Sequence, residues 1–94
     1  MNEYLICAAA YWNDGKKREH QPQNVDIGIV VCGRRHHNCI TTLSEFKKSK
    51  GIRVIQGFLT STDRFVDRNE AAKIAYESGQ VSKLKKKLFS EDLY

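Results

Sequence analysis

Two rhythms of apolar and polar positions run along this chain. Residues 4–12, YLICAAAYW, are almost wholly apolar, with aromatics at both ends and small residues between, which predicts a strand. Asn13-Asp14-Gly15 is a turn signal, and the polar run through Gln21-Pro22-Gln23-Asn24 predicts a loop, because its proline has no amide for a central ladder. Residues 25–32 are rich in β-branched side chains, contain Gly28 and are bounded by Gly33, so a second strand is expected there.

The rhythm then lengthens. Ile40, Leu43 and Phe46 recur at helical spacing with Glu45, Lys47 and Lys48 on other faces, which predicts an amphipathic helix over 38–49, ended by Lys50-Gly51. Residues 52–60 return to strand formers. Ser61-Thr62-Asp63 supplies a turn before Arg64-Phe65-Val66, so a hairpin is expected. Asp67-Arg68-Asn69-Glu70 has the form of a capping box, with the aspartate accepting a first-turn amide and the glutamate reaching back. The helix it opens carries Ala71, Ile74 and Ala75 on one side and Lys73 with Glu77 as an i,i+4 pair, and Gly79 is placed for a left-handed C-cap. Residues 81–88 are expected to add a last basic helical turn or two. No internal repeat interrupts this order. It predicts one α+β domain over 1–94: a small antiparallel or mixed β-sheet with two helices packed on one face.

Composition narrows the class. Hydrophobic residues make up 40% and charged residues 29%, a globular balance, and no apolar run approaches the roughly 18 residues of a membrane span. The opening Met1-Asn2-Glu3-Tyr4-Leu5 lacks the basic and apolar regions of a signal peptide, so a cytoplasmic protein without a membrane partner is expected. Cys7, Cys32 and Cys39 are an odd number without the spacing of a disulfide framework and are read as thiols. A net charge of +5 favours anionic partners without the lopsided balance of a duplex-DNA binder. A core this small is often completed by self-association, so a homodimer or higher homo-oligomer is expected.

The densest chemistry lies in CGRRHHNC, residues 32–39. Cys32, His36, His37 and Cys39 carry zinc-binding groups, but their spacing is not that of two separated ligand pairs, and no metal or cofactor is expected. Cys39 and Cys32 adjoin apolar residues and read as small core residues rather than nucleophiles. His36 and His37 titrate near neutrality, yet no carboxylate pattern supports them as acid and base. Anion binding fits best: a strand, a glycine and a helix start place free amides at 33–39, and Arg34 and Arg35 add two guanidinium groups. Arg64, Arg68 and Asn69 stand near the second helix start, and two such starts suit a ligand with two phosphates. Phe58, with the Thr60 hydroxyl nearby, or Phe65, supplies a flat partner for a base.

The strings IVVCGRRHHNCI, QGFLTSTDRFVDRNEAAKIAYESGQ and LFSEDLY resemble the bacteriophage Thoeris anti-defence protein 1 family over about half of the chain. The resemblance implies an antiparallel sheet followed by helices, dimers with pockets at subunit boundaries, and a sponge for a cyclic nucleotide signal in the infected bacterial cytoplasm. Such a sponge holds a cyclic ADP-ribose isomer, and in higher assemblies cyclic oligonucleotides, without cleaving it, so the protein is expected not to be an enzyme. By motif, the resemblance carries binding roles to Arg34, Phe58 and Asn69; Arg35, His36, Thr60, Arg64 and Arg68 complete the candidate set. The alternatives are a phosphodiesterase working through His36 and His37, and a small nucleic-acid-binding module.

Overall fold

A computed structural model describes residues 3–46 and 54–93. Four strands form one antiparallel sheet in the order β2-β1-β3-β4: β1 (Leu5–Trp12), β2 (Ile29–Gly33), β3 (Val54–Thr60) and β4 (Phe65–Asp67). Helices α1 (His36–Phe46) and α2 (Arg68–Glu77) and the short α3 (Ser90–Leu93) complete the α+β fold. Leu5, Ala8, Ala10 and Trp12 of β1 share the core with Cys39 and Leu43 of α1, with Ala71, Ala72, Ile74 and Ala75 of α2, and with Phe58, Val66 and Leu88. Both main helices therefore pack on one face of the sheet, as the pattern predicts.

β1 is central, and small residues let its neighbours close in: Ala8, Ala9 and Ala10 are completely buried. In a regular strand Leu5 and Ala8 would face opposite ways. A register shift between Leu5 and Cys7 returns Leu5 to the core face and leaves Ile6 exposed. At Gly57 of β3, a Cβ would lie 2.0 Å from the Val66 carbonyl oxygen, so only glycine lets β3 and β4 approach this closely.

Three boundaries differ from the expected ones. β2 starts at Ile29, not at residue 25. Gly28 has φ +105°, and a Cβ there would sit 2.5 Å from the Trp12 carbonyl oxygen, so the chain turns at Gly28 instead of extending. Residues 25–28 belong to the preceding loop, whose Val25 amide donates to Pro22 O at 2.9 Å and whose Gly28 amide donates to Lys16 O at 2.8 Å. α1 starts at His36, two residues early, because the Asn38 side chain reaches back to accept the Arg35 amide at 3.0 Å. The expected continuation of that helix over 47–49, and the start of the following strand at 52–53, lie outside the described residues. Residues 81–88 are not helical: the Leu88 amide donates at 3.0 Å to the Arg68 carbonyl, and its side chain is drawn into the core. Leu84 and the lysines around it are exposed, so no second apolar stripe exists to dock a helix there.

The ends of α2 follow the sequence more closely. Asp67 caps it by accepting the Glu70 amide at 2.8 Å. Glu70 does not reach back to complete the box; its carboxylate pairs with Arg64 at 3.2 Å. Gly79, at φ +82°, takes the left-handed position after the helix.

Candidate functional site

Arg68 is the first residue of α2 and His36 the first of α1, and the fold brings them into contact: Arg68 Nη2 lies 3.3 Å from His36 Nδ1. His36 is 6% exposed, and its Nε2 lies 2.7 Å from the Gly57 carbonyl oxygen. A carbonyl only accepts, so Nε2 carries the proton and Nδ1 presents a lone pair to the guanidinium. Burial is the chief cause holding the His36 pKa below its ordinary 6.5, with nearby Arg68 adding to it; the Gly57 hydrogen bond and Glu91 act the other way. The neutral ring thus links the two helix starts, and it packs edge-on against Phe58 at 5.0 Å.

Arg68 donates also to Gln56 Oε1 at 2.7 Å and lies 4.5 Å over the Phe89 ring. Its Nε is buried without a hydrogen-bond partner, and among the described residues no carboxylate lies within ion-pairing distance. Burial lowers its pKa. The half-buried cation is held by an amide, an imidazole and an aromatic face, and Glu91 acts on it without being paired to it. One residue further on, Asn69 is exposed and lines an open cleft of about 390 Å³ with Lys73, Leu84, Lys85 and Lys86. Lys85 also pairs with Asp92 at 2.5 Å.

Arg34 is exposed and Arg35 half-buried in the connection between β2 and α1. As the residue before α1, Arg35 brings no side-chain acceptor to the first-turn amides. The expected coincidence of arginines with a helix start is thus present at Arg34, Arg35 and His36, and at Arg68 and Asn69.

Other candidates are used by the fold itself. Phe58 is 0% exposed, so the expected stacking face is a core face. Thr60 is buried and donates to Glu3 Oε2 at 2.6 Å. Arg64 grips the same carboxylate through Nε at 2.9 Å and Nη2 at 2.7 Å, and Thr62 Oγ1 completes the cluster. The Arg64 hydrogen bond, then those of Thr60 and Thr62, hold the Glu3 pKa down at about 2. Arg64 and Thr60 are thus both engaged by Glu3, which fastens the start of the chain to the hairpin. Phe65 packs on Tyr11 at 5.8 Å and lines an open pocket with Asp67 and Glu70 at the α2 start. Gln56 and Phe89 are site residues that sequence reasoning missed. Gln56 sits amid strand formers, and Phe89 lies in a tail whose position no local pattern gives. Among the described residues, no three His, Cys, Asp or Glu side chains are grouped as metal ligands, and no helix is long and apolar enough to cross a membrane.

These features define a small α+β protein with a basic site where two helix starts meet. Residues 4–94 match the phage T4 y16D protein family, and the chain belongs to that family. No curated protein and no solved structure matches it. Membership in a phage family agrees with the bacteriophage character of the resemblance described above.

Proposed function

We propose that the protein is a phage anti-defence sponge: it binds a cyclic nucleotide immune signal, a cyclic ADP-ribose isomer or a cyclic oligonucleotide, and withholds it from the host's defence effector without cleaving it. The observation that carries this reading is the Arg68 guanidinium, which has no carboxylate within ion-pairing distance among the described residues and is joined through His36 to the start of α1, while the next residue, Asn69, lines the cleft with Lys73, Lys85 and Lys86. Phosphate oxygens supply the directly contacting anion that Arg68 lacks, and Arg34 and Arg35 add two guanidinium groups at the α1 start. The aromatic at the site is Phe89, 44% exposed beside Arg68, in place of the buried Phe58. Of the two histidines of the phosphodiesterase alternative, His36 has both ring nitrogens engaged, which favours retention over cleavage through it, while His37 is exposed. The sponge works as a homo-oligomer in this reading, competing with the effector by mass action.

The test is to incubate purified protein with a panel of cyclic ADP-ribose isomers and cyclic di- and trinucleotides, remove free ligand, heat, and identify what is released by mass spectrometry. Release of an intact cyclic nucleotide is expected. A linear product makes the protein an enzyme, and no retained ligand from any member of the panel overturns the reading.

A further inference from the structure

β1 and β2 pair with Ala8 opposite Gly33 and Ala9 opposite Cys32. Side chains alternate along a strand, so Cys7 and Ala9 share a face, and Cys32 projects from that same face diagonally across from Cys7. Cys39 lies on the opposite, helix-covered side, its thiol buried and donating to the Ala8 carbonyl at 3.6 Å. Cys32 is exposed and Cys7 half-buried, so a small molecule reaches this pair and not Cys39. Interaction with the neighbouring Cys32 thiol brings the Cys7 pKa down to about 7 and pushes that of Cys32 up. One sulfur carries the charge at neutral pH while its neighbour keeps its proton.

We propose that Cys7 and Cys32 form a redox-active dithiol that closes to a cross-strand disulfide on meeting a low-molecular-weight disulfide. The Cys7 thiolate attacks one sulfur of the small disulfide; a mixed disulfide forms and one small thiolate leaves. The Cys32 thiol then gives up its proton and attacks the Cys7 sulfur, and the second small thiol is expelled. The two protein thiols are oxidised by two electrons and one small disulfide is reduced to two thiols. Diagonal neighbours lie about 7–8 Å apart, just beyond the roughly 6.8 Å between Cα atoms that a disulfide spans, so closure requires β2, an edge strand, to shift toward β1. The bond ties β2 to β1 just before Gly33-Arg34-Arg35, so oxidation fixes the strand that leads into α1. This inference stands apart from the nucleotide reading and needs no nucleotide.

The test is equilibration of the protein with excess glutathione disulfide near pH 7.5, followed by intact-mass measurement and peptide mapping. Wild type and Cys39→Ser are expected to lose about 2 Da through a Cys7–Cys32 bond, whereas Cys7→Ser and Cys32→Ser stop at a mixed disulfide with glutathione. A wild-type protein that ends as the mixed disulfide, or a loss of about 2 Da that persists in Cys7→Ser or Cys32→Ser, overturns the proposal. Alkylation of Cys7 by iodoacetamide gives a second reading: its pH midpoint near 7 should move toward the ordinary 9.0 in Cys32→Ser. An unmoved midpoint also overturns it.

Discussion

Arg64 and Arg68 flank strand β4, and the structure treats them oppositely. Arg64 meets two carboxylates, Glu3 at 2.7 Å and Glu70 at 3.2 Å, and these raise its pKa. Arg68 meets an amide, a neutral imidazole and a phenylalanine ring, and burial lowers its pKa. The first guanidinium is neutralised inside the fold and fastens residue 3 to the hairpin. The second is positioned by uncharged groups, with Glu91 acting on it without a paired contact. The lesson is that hydrogen bonding and charge compensation are separate properties, and the proposed anion site rests on the guanidinium that has the first without a paired carboxylate.

The largest expected effect tests the support beneath Arg68. Phe58→Ala empties a fully buried position against which His36 packs, and should cost about 3 to 5 kcal/mol in denaturant unfolding. Loss of ligand retention with unchanged stability would instead make Phe58 a binding platform. The two arginines themselves should give crossed phenotypes. Arg68→Gln is expected to weaken retention of a released cyclic nucleotide by about tenfold or more, with little loss of stability, since it removes a half-buried charge that has no paired carboxylate among the described residues. Arg64→Gln should leave retention intact and cost about 1 to 2 kcal/mol, a figure held down by the solvent access of the pair. Equal effects on both quantities in both variants would erase the distinction.

Much of the frame behind this contrast was legible in the residues. Asp67 announces the α2 start, Gly79 its end, and the apolar order of 4–12 and 52–60 gives two strands whose described parts pair in the sheet. What failed was governed by distant atoms. Gly28 ends the loop because the Trp12 carbonyl leaves no room for a Cβ, and Leu88 leaves the helical pattern because the Arg68 carbonyl takes its amide. For the site, a helix start with arginines was visible at both places, but nothing local separates Arg64 from Arg68. Their difference is set by Glu3, 61 residues before Arg64, and by His36, 32 residues before Arg68. Phe58 illustrates the same limit: an aromatic between a glycine and a leucine fits a core and a platform equally, and only tertiary packing decides.

Acid sensitivity separates the two arginines once more, with the smallest effect at Arg68. The Glu3 carboxyl titrates at about 2 in the folded protein against an ordinary 4.5, so its contribution is complete above pH 4.5 and is lost as pH falls through about 2. Glu3→Gln should therefore flatten part of the stability loss in that window. Asp14, lowered to about 2 beside Arg18, and Asp92, lowered beside Lys85, retain their share of it. His36 acts earlier. Its folded pKa lies below 6.5, so the unfolded chain takes up a proton first and stability begins to fall as pH drops below about 6.5. The groups facing the ring are the Gly57 carbonyl and Phe58 from β3, Arg68 from α2 and Glu91 from α3; of these only Glu91 carries negative charge. Protonation removes the Nδ1 lone pair and sets an imidazolium against a guanidinium, which releases Arg68. His36→Gln should abolish the shallow loss that begins below pH 6.5 while leaving the steeper loss between 4.5 and 2, as measured by denaturant midpoints across pH. A wild-type stability that stays flat from pH 7 to pH 5 would mean that the imidazole is not the neutral link between the two helix starts.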